Sequence, residues 1–268
     1  MFDEIAVAIE GTEWNLRAAA IAEALAHQLG VPWSVLSIVR DENAVGRHAE
    51  ILRIKLSEVG IAQARIEVIA DRDAAGRLTD LVGERSATLW CLSTVARQPV
   101  GNALLGSVAS QVLRETGMPI VLCGPNVGRR RGPKLESIMI CLDTSSLSEA
   151  ILPVAGELAA RTGARPCLVQ VLPTDRARLK EASDTAGEAS YLRQIASLLR
   201  ERHGLGADWD VLHGDDPGQT IADYARGLPG AMIAMTTHGR SGLSQVIAGS
   251  VASRAIRNAD CPVLVLRP

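Results

Sequence analysis

The chain has 268 residues with 28 Lys and Arg against 30 Asp and Glu, a formal net charge of −2, which excludes a whole-protein basic footprint for nucleic acid or an anionic membrane. Apolar residues make up 47 %, yet there are only one Phe, two Tyr and four Trp, so the core must be Val, Ile, Leu and Ala, the diet of buried parallel strands under helices. At roughly 150 residues per domain the length favours two domains.

The opening MFDEIAVAIE is acidic and strand-like rather than a basic, apolar signal, and no apolar run approaches the roughly 18 residues of a membrane span. A cytoplasmic protein without a membrane partner is expected. Cys91, Cys123, Cys141, Cys167 and Cys261 are widely spread, with no CxxC and no Cys/His cluster, and are expected to be buried free thiols.

In chain order, residues 4–10 read as a strand, 12–29 as a helix stopped by Gly30 and Pro32, 33–39 as a strand, and 44–59 as a helix closed by Gly60. Residues 64–69 follow as strand, 78–85 as helix, 88–93 as strand, 106–116 as helix and 119–123 as a fifth strand. Strict alternation of strand and helix points to a parallel, doubly wound sheet. GPNVGRRRGPK, residues 124–134, then reads as a linker; its three arginines suit either a solvated tether or a polyanion contact.

After the linker the pattern starts over. GSVAS at 106–110 recurs letter for letter at 249–253, and Arg114 and Pro119 return as Arg257 and Pro262 at the same offset of 143. At the front, EIAVAIEGT aligns with SIMICLDTS by placing Glu10 on Asp143, an offset of 133, so the second copy has gained ten residues between Leu172 and Asp208. The second copy reads as strand 138–142, helix 147–162, strand 166–172, a long helix from about 178 to 202, strand 209–212, helix 219–226, strand 231–235, helix 251–258 and strand 262–266.

In an open parallel sheet a ligand binds beyond the carboxyl ends of the strands, where strand order reverses. Three pieces of the second copy meet there: Asp143 after the first strand, Val171 near the end of the second, and Thr236 leading into THGRSGLSQVIAGSVAS after the fourth. Glycines let amides approach an anion and a helix N-terminus leaves unpaired donors, so Gly239, Gly249 and Ser250 form a candidate phosphate cradle. The plainer alternative makes Gly242 a turn and Ser250 an N-cap. Asp143 suits ribose hydroxyls or a phosphate-bound Mg²⁺, or simply caps the next helix. The main chain near Val171 suits an adenine edge. Arg240 is a better phosphate partner than His238, since its charge and fork match the anion. GDDP at 214–217 reads as a turn and helix entry rather than a metal site. The chain carries no P-loop, GxGxxG, GxSxG or HExxH.

Gly239, nine residues, Gly249-Ser250, a helix and the strand CPVLVL, with Asp143 closing the first strand, resemble the universal stress protein family, and the resemblance covers nearly the whole chain as two tandem copies. It implies two tandem doubly wound, Rossmann-like (adenine nucleotide alpha hydrolase-like) five-stranded parallel-sheet domains, at 1–125 and 135–268, joined by a linker at 126–134. It also implies a stress-response regulatory protein binding ATP or another adenine nucleotide, with or without Mg²⁺. Carried over, Gly239 and Gly249 are the second and third glycines of the nucleotide-binding pattern, Ser250 the hydroxyl, Val251 its neighbour in the helix, Asp143 the aspartate and Val171 the adenine-edge position. Thr236 stands at the first glycine position, a departure that sets a Cβ and a hydroxyl beside the ribose side. The first copy departs further, with Glu10 for the aspartate, Ser93 and Ala96 for the first two glycines, and Pro99 in the loop, so its site is expected to be weak or empty. Two rival readings are a protein-interaction module that binds no nucleotide and a very slow ATPase. The family's habit of pairing through the fifth strand implies an intramolecular pseudo-dimer of residues 119–123 and 262–266, open to further homodimerisation.

Overall fold

The computed structural model describes residues 2–61, 63–94, 106–128, 134–174, 185–237 and 249–268, the side chains of 13, 14 and 185–188 excepted. The chain divides into two compact units, Met1–Lys134 and Leu135–Pro268.

In the first unit the elements are β1 (Glu4–Ala8), α1 (Glu13–Leu29), β2 (Trp33–Val39), α2 (Val45–Glu58), β3 (Arg65–Ala70), α3 (Ala74–Glu84), β4 (Thr88–Ser93), α4 (Ser107–Thr116) and β5 (Ile120–Cys123). The strands run in the order β3-β2-β1-β4-β5, every pair parallel, so strand order reverses between β1 and β4. The second unit contains β6 (Ser137–Cys141), α5 (Ser146–Glu149), α6 (Leu152–Thr162), β7 (Arg165–Leu172), α7 (Thr185–His203), β8 (Asp208–His213), α8 (Pro217–Ala225), β9 (Ala231–Thr236), α9 (Ser250–Asn258) and β10 (Val263–Leu266). Its order is β8-β7-β6-β9-β10, again parallel, with the reversal between β6 and β9. Both units are doubly wound α/β sheets with the topology expected from the alternation.

Central strands are buried along their length: Ile5, Ala6 and Val7 of β1 are 0 % exposed, as are Ile138, Met139 and Ile140 of β6. This explains why they read as continuous apolar runs rather than alternating ones. All five cysteines are buried and in no disulfide, and burial pushes the Cys91 and Cys141 thiols well up and that of Cys261 up to about 12, which disfavours their thiolates.

Helix boundaries differ from expectation where capping decided them. α3 begins at Ala74, four residues earlier than its apolar stripe suggests, because the Asp73 carboxylate accepts from the Gly76 N–H. α8 likewise begins at Pro217 behind the Asp216 cap. The helix expected over 147–162 is two pieces, α5 and α6, divided at residues 150–151. Pro153 lacks an N–H and its ring conflicts with the carbonyl four residues back, that of Glu149, where α5 ends. α7 has 19 residues against 14 in α2; residues 175–184, where the longer helix was expected to begin, lie outside the described residues.

The segment after β5 is packed rather than tethered as far as residue 127. Val127 is 2 % exposed, and Arg17 of α1 donates through Nη1 to the carbonyls of Pro125 (3.1 Å) and Val127 (3.0 Å). The three arginines, at 129–131, lie outside the described residues.

Candidate functional site

The site lies at the carboxyl ends of β6, β7 and β9, beside the strand-order reversal of the second unit. At the end of β6 the chain turns sharply through Asp143, Thr144 and Ser145. Asp143 Oδ1 accepts from the Ser145 N–H (3.0 Å) and the Ser145 hydroxyl (2.5 Å), while the Asp143 N–H donates to Ser148 Oγ (3.2 Å). Ser145 itself caps α5, accepting from the Ser148 N–H at 3.1 Å. The capping alternative raised for Asp143 is therefore taken by Ser145, and the aspartate braces the cap from behind. Thr144 is left-handed at φ 68°, the one non-glycine residue with positive φ among those described. For a β-branched residue this conformation costs about 1–2 kcal/mol.

From β9 the chain leaves at Thr237 and returns at Gly249, and the two ends are joined: the Gly249 N–H donates to the Thr237 carbonyl at 2.7 Å, and the Thr237 N–H to the Leu266 carbonyl at 2.9 Å. A Cβ on Gly249 would stand 3.0 Å from that Thr237 oxygen, so glycine permits the closure. The Gly249 amide was expected to face phosphate; it is already engaged by the Thr237 carbonyl. Gly249, not Ser250, occupies the N-cap position, and no side chain caps the helix. Ser250, Val251 and Ala252 thus begin α9 with amides that have no acceptor inside the helix. The Ser253 N–H is the first to turn back, to the Gly249 carbonyl at 3.0 Å. Ser250 is exposed and Thr236, at the end of β9, is 6 % exposed. Gly239 and Arg240, with the rest of residues 238–248, lie outside the described residues.

Val171 pairs with Leu212 of β8 in the ladder. The Leu142 N–H donates to the Val169 carbonyl at 2.8 Å, and Val171, two residues on, directs its main-chain groups to the same side, where β6 has ended. The structure therefore brings Asp143, Val171, Thr236, Gly249, Ser250 and Val251 to one end of one sheet.

The first unit repeats the scaffold with other chemistry. The Glu10 N–H donates to Asn15 Oδ1 (3.2 Å), as Asp143 does to Ser148, and Thr12 caps α1 as Ser145 caps α5. Gly11, at φ 78°, takes the left-handed position held by Thr144. Across this turn Lys55 of α2 reaches over and donates through Nζ to the Gly11 carbonyl at 2.6 Å. Matching the buried Leu52 and Leu56 to Ile195 and Leu199 of α7 puts uncharged Leu198 at the corresponding place in the second unit. The Gly106 N–H meets the Thr94 carbonyl at 3.1 Å, the same loop closure, and a Cβ there would lie 3.5 Å from it. Ser93 ends β4, Ser107 opens α4 and is exposed, and Ala96 and Pro99 lie outside the described residues.

Lys55, Ser148 and Thr144 were not singled out from sequence. Nothing local marks Lys55, whose partner is 44 positions away; Ser148 was legible as the fourth residue of a capping pattern beginning at Ser145. Among the described residues no group of three His, Cys, Asp or Glu is placed to hold a metal ion, and no helix is long and apolar enough to cross a membrane.

Two duplicated doubly wound units, each with its loop closed onto a glycine before a short helix, define the architecture, and the family model described as the universal stress protein family matches residues 1–124 and 134–267. The chain belongs to the universal stress protein family. It is 26 % identical over 150 residues to universal stress protein Sll1388 of Synechocystis, covering 48 % of this chain and 96 % of that one. It is also 26 % identical over 191 residues to universal stress protein Rv2005c of Mycobacterium tuberculosis, covering 68 % of this chain and 62 % of that one. The crystal structure of a universal stress protein from Archaeoglobus fulgidus, at 18 % identity and a TM-score of 0.64, covers 98 % of this chain and 96 % of that chain, a likeness of fold.

Proposed function

We propose that this chain is a stress-response regulatory protein that binds ATP or another adenine nucleotide in the second unit. The observation that carries the reading is the start of α9: three successive amides, of Ser250, Val251 and Ala252, without helical acceptors, beside the strand-order reversal. Phosphate oxygens fit such a helix start, with Gly239 and Arg240 completing the cradle. Asp143 would accept from ribose hydroxyls and the main chain of Val171 would meet the adenine edge. Thr236 borders the ribose side. Asp143 is a single carboxylate, so a Mg²⁺ entering with ATP would be held chiefly by phosphate oxygens and water.

The mechanism proposed is binding without turnover: a ligand that binds only the folded form stabilises it by mass action, about 2.7 kcal/mol at a hundredfold excess over Kd. Mass analysis of nucleotide released from the purified, denatured protein, with thermal shift on added ATP, tests the reading. Released adenine nucleotide and a rise in melting temperature that Gly249→Val abolishes are expected. No released nucleotide and no shift at millimolar ATP would dismiss it, and phosphate release that vanished in Asp143→Ala would instead favour the slow ATPase. In the same proposal the first unit holds no nucleotide, and the fifth strands, β5 and β10, pair the units into a pseudo-dimer.

A further inference from the structure

The GDDP turn between β8 and α8 touches both borders of the second unit's crevice. On one side the Gly214 N–H donates to the Leu172 carbonyl (2.8 Å), and Asp215 Oδ1 accepts from the Thr174 N–H (3.1 Å) and the Thr174 hydroxyl (2.7 Å), so the turn holds the chain that continues from Val171. On the other side Asp216 caps α8 and pairs with Arg254 of α9. Gly218, in the first turn of α8, lies so close to α9 that a Cβ on it would stand 2.7 Å from Arg254 Cβ, 2.8 Å from the Val251 carbonyl and 3.1 Å from the Ala255 nitrogen. Two of those atoms are backbone of the helix whose first amides face the crevice. The far end of α9 is held as well, by Asn258 Nδ2 to Gln219 Oε1 (2.6 Å) and Arg226 Nη2 to the Asn258 carbonyl (3.1 Å).

The first unit keeps the turn and carries other residues at the fastening positions. The Asp71 N–H donates to the Val39 carbonyl at 2.7 Å, the counterpart of Gly214 to Leu172. At the offsets that superimpose the copies, however, Asp215 becomes Arg72, Gly218 becomes Ala75, Arg254 becomes Gln111 and Asn258 becomes Glu115. Gln111 donates to Glu115 within its own helix. The unit with the fuller site pattern is the one in which the two borders are tied together.

We propose that residues Gly214, Asp215, Asp216 and Gly218 form a bracket that sets the gap between the Val171 border and the α9 amides, making residues that touch no ligand control nucleotide affinity in the second unit. The inference rests on the nucleotide reading for its ligand and on geometry alone for the bracket. These are positioning residues, and they act on different parts of one molecule: Gly218 and Asp216 on the phosphate end, Asp215 on the base end. At Gly218 a purely structural role would weaken ATP and adenosine alike, whereas a positioning role on the phosphate end weakens ATP selectively.

The test pairs calorimetric titration of ATP and adenosine with hydrogen exchange at the Ser253, Arg254 and Ala255 amides, in wild type, Gly218→Ala and Asp215→Asn. In Gly218→Ala the Cβ forces α9 outward; about a tenfold loss of ATP affinity is expected, with adenosine changed less than about twofold, and faster exchange of the three α9 amides. Asp215→Asn, exposed and safe for folding, is expected to weaken adenosine and ATP by the same few-fold factor. Equal losses of ATP and adenosine in Gly218→Ala, or unchanged α9 exchange, would overturn the bracket. If wild type binds neither ligand, the nucleotide reading fails, and the exchange measurement still decides whether Gly218 holds α9.

Discussion

The two units share one backbone plan and differ in what is left at the crevice. In the first, the turn after β1 takes its left-handed residue as Gly11 and is spanned by the Lys55 ammonium; in the second, the same conformation falls on Thr144 and Leu198 stands at the position matching Lys55. In the second, α9 is pressed against α8 through Gly218, and the matching position of the first unit is Ala75. Under the proposed function, the copy with glycine at the left-handed position and Lys55 across its turn is the one that would stand without a ligand. The other copy has Thr144 in a left-handed turn and a tightly held helix start, and in the same proposal nucleotide binding would offset their cost.

The sharpest way to break this comparison is to make one substitution at both loop closures. Gly249→Ala is expected to cost about 2–3 kcal/mol, because its Cβ meets the Thr237 carbonyl at 3.0 Å in addition to replacing an N-cap glycine. Gly106→Ala, with 3.5 Å to the Thr94 carbonyl, is expected to cost about 1 kcal/mol or less. Denaturant unfolding of each variant measures the difference, and equal costs would show that the two closures are alike. Exchanging the turn residues comes next in size. Gly11→Thr puts a Cβ 3.1 Å from Leu52 Cδ2 in a left-handed conformation and is expected to destabilise by about 1–2 kcal/mol, whereas Thr144→Gly is expected to be neutral or stabilising by up to about 1 kcal/mol. Destabilisation by both would refute strain at Thr144.

Smaller effects separate the core of the first unit from its crevice. Trp90 is 0 % exposed and its Nε1 has no hydrogen-bond partner, so Trp90→Phe removes a buried unpaired donor together with some ring volume. These oppose each other, and a net change within about 1 kcal/mol is expected in the unfolding free energy. The smallest effect is electrostatic. Arg85 donates to both Glu67 oxygens (2.8 and 3.1 Å), and this hydrogen-bonded pairing holds the Glu67 carboxyl below its ordinary value despite partial burial. A carboxyl lowered on folding adds stability that is present above its unfolded value, about 4.3, and is lost as pH falls through the folded one. Wild type is therefore expected to lose up to about 1 kcal/mol more than Glu67→Gln on acidification below pH ~4.5. Parallel acid profiles would remove the pair from the account.

Strand order, the duplication and the ten-residue excess were legible because buried parallel strands write themselves as apolar runs and because GSVAS repeats intact. Helix starts were less legible: an apolar stripe marks where a helix is covered, while Asp73 and Asp216 mark where it begins, several residues earlier. The break before α6 was written in Pro153 and obscured by the apolar periodicity on either side of it. Of the candidate site, Asp143 was singled out by its position after a strand and the Gly249-Ser250 step by its spacing and its place before a helix. That the Gly249 amide is engaged by Thr237, and that Lys55 crosses to Gly11, depend on chain segments brought together only by the fold.

The central claim is that nucleotide binds in the second unit alone, and calorimetric stoichiometry with ATP tests it most directly. The account predicts one ATP per chain in wild type and in Glu10→Ala, and none in Asp143→Ala. Two ATP per chain, or binding lost in Glu10→Ala and kept in Asp143→Ala, would contradict it.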